Sequence, residues 1–139
     1  MKLTPLLAHA IIRTMNSEEK TILIIDDEED FSFFVGRNLE RIKNYIVISA
    51  NSGESGINLA QEKKPNLILL DIMMPGIDGF EVLKRLKADD LTSLIPVIML
   101  TGKDDQASRL RAAKLKNADY LIKPIQVEEL RAKIEKALK

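Results

Sequence analysis

The sequence predicts an α/β fold, a single doubly wound parallel sheet of five strands with five flanking helices. Three observations lead there. Short apolar runs rich in β-branched residues alternate with helix-period segments from Thr21 onward, the pattern of repeated βαβ units. The runs are apolar almost throughout rather than at every second position, as strands are when both faces of their sheet are covered. Two of them, Thr21 to Ile25 and Leu67 to Leu70, stop at carboxylates, which sets acids along the C-terminal edge of the sheet, where open α/β sheets bind ligands.

The first twenty residues stand outside the alternation. Thr4-Pro5 has the form of a helix N-cap followed by proline at the first helical position, and Leu3, Leu7, Ile11 and Met15 recur every fourth residue along one stripe, so a short extra helix is one expectation. The other is that Met15-Asn16-Ser17-Glu18-Glu19 starts the domain, preceded by a disordered or accidental extension. Residues 1–20 are therefore read as an N-terminal extension and 21–139 as the domain. Strands are expected at Thr21 to Ile25, Tyr45 to Ala50, Leu67 to Leu70, Pro96 to Leu100 and Tyr120 to Ile122. Helices are expected near Asp30 to Lys43, Ser52 to Lys63, Gly79 to Lys87, Asp104 to Leu115 and Gln126 to Leu138. Parallel strands joined by crossovers of this length take right-handed connections, so helices cover both faces.

A chain of 139 residues, 45% of them hydrophobic, can bury one core and leaves no room for a second domain. Lys and Arg number 21 and so do Asp and Glu, so no basic field draws nucleic acid and direct binding to it is not expected. The absence of cysteine rules out a disulfide framework and a thiolate zinc site, and it suits the cytoplasm. No apolar stretch approaches a membrane-spanning length, and His9 and Arg13 interrupt the apolar N-terminal segment, so neither a membrane anchor nor a signal peptide is the preferred reading.

Four short stretches, each at a strand end, carry the chemistry. Asp26-Asp27-Glu28-Glu29-Asp30 can be read as a solvated acidic patch at the positive end of the following helix. That reading does not explain why Asp71, 44 residues after Asp27 (71 − 27), ends a second strand of the same sheet. Carboxylates so gathered repel one another unless a cation binds, and hard oxygen ligands suit magnesium, with manganese the alternative. After Asp71, Pro75, Gly76 and Gly79 force a loop. A carboxylate held by a strand and open on its far side can act as a nucleophile and form an acyl phosphate, although an Asp before a turn is also an ordinary Asx-turn residue. Thr101-Gly102 closes the fourth run, and alone Thr101 reads as a capping or strand hydroxyl. Lys123-Pro124 closes the fifth. A lysine there is ordinarily a solvated charge, but beside three carboxylates it can pair with Asp71, or with a phosphoryl oxygen when one is present.

Together, Asp26-Asp27, Asp71 with its Met73-Met74-Pro75-Gly76 and Asp78-Gly79 loop, Thr101-Gly102 and Lys123-Pro124 make the chain resemble a response-regulator receiver domain of two-component signal transduction, the CheY-like family, over residues 21–138. The resemblance implies the flavodoxin-like strand order 2-1-3-4-5. It implies that Asp71 takes the phosphoryl group from a phosphohistidine of a sensor histidine kinase or phosphotransfer protein. Magnesium would be held by Asp27, Asp71 and the backbone carbonyl of Met73, with Asp26 acting largely through water. Thr101 and Lys123 would contact phosphoryl oxygens, and the Lys123-Pro124 bond would be cis. The family's switch, movement of the threonine followed by rotation of an aromatic residue, falls on Thr101 and Tyr120. It would change the surface of helix 4, strand 5 and helix 5 of the alternation and so recruit a downstream protein effector.

Other functions fit the residues less well. A magnesium-dependent aspartyl-phosphate phosphatase or phosphotransferase needs a second acid near its nucleophile and a cap over its substrate, but Met73 occupies the former place and no insertion supplies the latter. The chain is thus expected to catalyse only its own phosphorylation and dephosphorylation, not to be an enzyme in the turnover sense. A docking module that has lost phosphorylation would not need the full residue set. The chain ends within or just after its fifth predicted helix, which suits both a stand-alone receiver and a fragment of a larger regulator or hybrid kinase. The N-terminal segment offers a further contact, a homodimer or a partner groove. His9, the sole histidine, is read as a bystander, Gly76 and Gly79 make no dinucleotide fingerprint, and Met73, Met74 and Met99 are read as loop and core packing.

By the same resemblance, the residue two after the acceptor, Met73, and the one two after the threonine, Lys103, set the lifetime of the signal. Met73 is neither a carboxylate nor an amide and cannot orient an attacking water. Met73→Asn is accordingly expected to shorten the acyl-phosphate half-life, followed as loss of labelled phosphate; an unchanged or longer half-life contradicts this.

Overall fold

The computed structural model describes residues 2–15 and 19–139, with residues 12–15 as backbone. Of the alternative start Met15-Asn16-Ser17-Glu18-Glu19 only Glu19 has a described side chain, and the place of Met15 in the apolar stripe lies outside the described side chains. In chain order the elements are α1 (Pro5–Met15), β1 (Thr21–Ile25), α2 (Glu29–Ile42), β2 (Ile46–Ala50), α3 (Gly53–Lys63), β3 (Leu67–Asp71), α4 (Gly79–Ala88), β4 (Val97–Thr101), α5 (Gln106–Ala113), β5 (Asp119–Ile122) and α6 (Val127–Ala137). The five strands are all parallel and lie in the order β2-β1-β3-β4-β5, as expected. Helices 4 and 5 of the sequence alternation are α5 and α6. Among the described residues, no helix is long and apolar enough to cross a membrane.

Strand periodicity divides the core in two. Leu23, Ile25, Ile68, Leu70 and Met99 point to one face and meet Ala60 of α3, Phe80, Val82, Leu83 and Leu86 of α4 and Ala112 of α5. Ile22, Ile24, Leu67, Leu69, Ile98 and Leu100 point to the other and meet Val35 and Leu39 of α2 and Leu130 and Ile134 of α6. β3 and β4 are buried at every residue, which is why their sequences show no alternation, whereas β2, at the edge, is mostly half-exposed or exposed.

The structure moves several boundaries, each for a local reason. β3 and β4 run one residue further than expected and take in Asp71 and Thr101, because the backbone pairing continues: Asp71 is opposite Leu100 and Thr101 is opposite Ile122. β4 starts at Val97 rather than Pro96, which has no N–H to give the ladder. Tyr45 is buried but precedes β2, and β5 starts at Asp119. α5 is shorter than the Asp104 to Leu115 segment because Asp105 is its N-cap, its side chain accepting from the Ser108 N–H at 3.1 Å. The extra helix α1 is present, and the Thr4 hydroxyl caps it by accepting from the Leu7 N–H at 3.1 Å. The described residues of its stripe, Leu3, Leu7 and Ile11, stay exposed, as does Leu6. Met74 and Met99 are core residues as expected, but the Met73 side chain is 64% exposed and contributes to the loop alone.

The loop after β3 is set by two glycines and a cap. Gly76 has φ +82°, in the left-handed region open to glycine. The Asp78 carboxylate accepts from the Glu81 N–H at 2.9 Å and starts α4. Gly79 gives its N–H to the Ile72 carbonyl at 2.8 Å, and a side chain there would collide with the Asp71 carbonyl and lie 2.7 Å from the Ile72 Cα. Absence of that Cβ lets α4 begin directly against the strand end that holds Asp71. Gly79→Ala is therefore expected to cost about 1–3 kcal/mol of stability through overpacking, read as a lower urea midpoint at unchanged slope; an unaltered midpoint would mean that the backbone relaxes freely here.

Candidate functional site

Three strand ends and the turn after β1 converge at the C-terminal edge of the sheet. β1 stops at Ile25, but pairing persists one residue further, the Asp26 N–H donating to the Ala50 carbonyl at 3.1 Å. This turns the Asp26 side chain inward, 1% exposed, while Asp27 faces outward. One Asp26 oxygen accepts from the Glu28 N–H at 2.9 Å, bending the chain into α2. Asp71, last in β3, is 4% exposed, and Thr101, last in β4, is fully buried. The Lys123 N–H donates to the Thr101 carbonyl at 2.8 Å, extending β5 pairing until the cis Lys123-Pro124 bond ends it.

The side chains then meet. Asp26, Asp27 and Asp71 can each present a carboxylate oxygen so that all lie within 4.8 Å of one another. Lys123 Nζ is 2.9 Å from Asp26 Oδ2, 3.4 Å from Asp71 Oδ1 and 3.8 Å from Glu28 Oε1. The expected Lys123 pairing with Asp71 is thus the longer contact, and Asp26 is the principal partner. Asp26 reaches Lys123 more closely because its second oxygen is already fixed by the Glu28 N–H, which aims the first at the ammonium. The fit to a divalent cation is good in chemistry and spacing: three hard carboxylates share one small region, and among the described residues Lys123 is the cation set against them.

The electrostatics follow from burial. Desolvation, then the negative charge of Asp26, push the Asp71 carboxyl upward; Lys123 offsets part of this by charge and hydrogen bond, Asp27 adds to the rise, and the result is about 6. Burial by itself would lower the Lys123 ammonium, but the hydrogen bond to Asp26 and the charges of Asp71, Asp26 and Glu28 outweigh it and hold the pKa above its ordinary value. Lys123 is charged, and Asp71 carries the strain of the cluster.

Thr101 stands at the same edge with a buried hydroxyl oxygen that has no hydrogen-bond partner. Such a group ordinarily costs 1–3 kcal/mol, roughly, unless something supplies a partner. Tyr120, opposite Met99 in the β4–β5 pair, is partly buried against the cluster on the α3–α5 side, and Lys133 Nζ lies 5.5 Å from the centre of its ring. Tyr120 lines a shallow cleft with Arg109, Leu110 and Ala113 of α5. Lys103 is exposed, and His9 lies by Glu40, Asn44 and Tyr45, away from the acids. Sequence reasoning missed two residues: Glu28, taken only as one of an acidic run, and Phe31, whose ring centre is 4.1 Å from Lys123 Nζ. Phe31 carried no distinguishing signal, being one apolar residue among several in an amphipathic helix.

A family model, "Response regulator receiver domain", matches residues 22–135. The chain is 39% identical over 120 residues to the alkaline phosphatase synthesis transcriptional regulatory protein PhoP of Bacillus subtilis, covering 86% of this chain and 49% of that protein. It is 42% identical over 118 residues to the DNA-binding dual master transcriptional regulator RpaA of Synechocystis, covering 85% and 48%. The chain thus spans about half the length of the curated relatives it matches. Among solved structures it is similar to a putative response regulator from Chloroflexus aurantiacus, with a TM-score of 0.80, 30% identity and coverage of 87% of this chain and 98% of that one.

A pH dependence follows from the raised Asp71 pKa. Between the unfolded value near 3.8 and the folded value of about 6, the folded state binds more protons, so this group makes stability fall as pH rises through that window. In metal-free buffer at pH 8, Asp71→Asn should raise stability by roughly 1–2 kcal/mol after allowance for solvent screening. Thermal melts should show the gain disappearing as pH falls through about 6 toward 4; a gain independent of pH would remove the repulsion account.

Proposed function

The chain belongs to the response regulator receiver domain family of two-component systems, and we propose that it is a phosphorylation-controlled switch with Asp71 as acceptor. The observation that carries this reading is the convergence of Asp26, Asp27 and Asp71 within 4.8 Å beneath the ammonium of Lys123. An ionised Asp71 oxygen attacks the phosphorus of a phosphohistidine on a sensor histidine kinase or phosphotransfer protein. The O–P bond forms as the N–P bond breaks, and the imidazole keeps the electron pair and regains a proton. A magnesium or manganese ion held by Asp26, Asp27, Asp71 and the Met73 carbonyl would offset charge on the group in transfer.

The remaining steps belong to the chain's own residues. Lys123 shifts from Asp26 toward a phosphoryl oxygen, a short move for an ammonium already 3.4 Å from Asp71. The unpartnered Thr101 hydroxyl donates to another phosphoryl oxygen and so gains the hydrogen bond it lacks. Its movement frees space beside β5, and Tyr120 turns inward, away from α5. The face formed by α5, β5 and α6 changes shape and charge there and presents itself to a protein effector. The substrate is the protein itself, so turnover of an external compound is not its role. A cytoplasmic setting goes with such a partner.

Incubation with magnesium and a small acyl phosphate labelled at phosphorus should place one phosphoryl group per chain on Asp71 and none on Asp71→Ala. Equal label on the two proteins would move the acceptor elsewhere, and no label on either would argue for a docking module.

A further inference from the structure

We propose that Phe31 is a positioning residue for phosphoryl transfer, its ring face holding the Lys123 ammonium over the carboxylate cluster. This rests on the receiver reading above, in which Lys123 pairs with a phosphoryl oxygen. Phe31 lies in the first turn of α2, four residues after Asp27, and helical periodicity returns its side chain to the strand edge. Lys123 Nζ is 4.1 Å from the ring centroid, well inside the roughly 6 Å over which an aromatic face attracts a cation. The lysine side chain is only 18% exposed, so the attraction is little diluted by water.

The ring does what the carboxylates cannot. Asp26, Asp71 and Glu28 hold the ammonium through hydrogen bonds or ion pairs, and each competes with an arriving phosphoryl oxygen for the same N–H groups. A neutral ring face attracts the charge without adding another oxygen that competes for it. When Lys123 exchanges Asp26 for a phosphoryl oxygen, the ring keeps the charge at the strand edge. Without it the flexible four-carbon stem can follow Glu28, whose side chain is 69% exposed, outward into solvent. The ring is held on one side by the core cluster that contains Val35 and Leu130, and on the other it borders a cleft of about 260 Å³ between α2 and α6 that Lys123 also lines. The ammonium is therefore preorganised rather than recruited at the moment of transfer.

The test is the rate of Asp71 phosphorylation by a small acyl phosphate in magnesium. Phe31→Leu should slow it by roughly 5–10-fold, the equivalent of one partly buried cation–π contact, and Phe31→Tyr should restore it. Because loss of the ring also alters packing, site-specific incorporation of mono-, di- and trifluorophenylalanine at position 31 gives a shape-preserving series with progressively weaker ring electrostatics. A graded fall in rate along that series supports the proposal. So does an upfield ring-current displacement of the Lys123 ε-protons in the unmodified protein that vanishes in Phe31→Leu. A rate indifferent to fluorination, with labelling of Asp71 intact, overturns the positioning role and leaves the receiver reading standing. Failure of the unmodified protein to label at all overturns both.

Discussion

Asp26 and Asp71 are withdrawn almost wholly from water at the ends of neighbouring apolar strands, with Asp27 beside them and the half-buried Lys123 to answer them. An arrangement of this kind costs free energy, and it persists only because the rest of the fold holds it there. β1 and β3 are fixed by burial on both faces, so neither carboxylate can retreat without breaking the sheet. Gly79 lets α4 start hard against the Asp71 backbone. β5 pairs with β4 through Thr101 and Ile122, and this register sends Lys123 across the edge toward acids that belong to β1 and β3.

Function grows from that unbalanced charge. Burial first, then the charge of Asp26, raises the Asp71 pKa, while the hydrogen bond to Asp26 and the surrounding acids raise that of Lys123 against its own burial. One group thus resists ionisation and the other resists its loss. The Thr101 hydroxyl adds an unmet hydrogen bond a strand away. On the proposed reading, positive charge and phosphoryl oxygens would satisfy these groups better, so binding would relieve costs already built into the folded chain. Relief at a strand end would then pass outward through the shared β4–β5 register, which pairs Met99 with Tyr120 and Thr101 with Ile122.

Much of this was legible in the sequence, for identifiable reasons. β1, β3 and β4 could be read because strands buried on both faces are written as unbroken apolar runs, and the site residues could be read because those runs end abruptly in Asp, Thr or Lys. The edges of elements were harder. Pairing beyond the apolar run, which draws Asp71 and Thr101 into their strands, depends on neighbours remote in sequence. The Asp105 cap shortened α5 although Asp104 beside it offers the same chemistry. The preference of Lys123 for Asp26 over Asp71 was not accessible, since β5 and β1 are not adjacent and no spacing rule ranks two acids reached across a sheet. The same holds for the Phe31 ring, an apolar residue in an amphipathic helix until its distance from Lys123 is known.

A cation and a proton compete for one strained cluster, and proton release on adding magnesium to weakly buffered protein tests this most directly. At pH 6, where Asp71 is about half protonated, binding should expel about half a proton per chain, and at pH 8 it should expel almost none. Release that is absent at pH 6, or equally large at pH 8, would contradict the account.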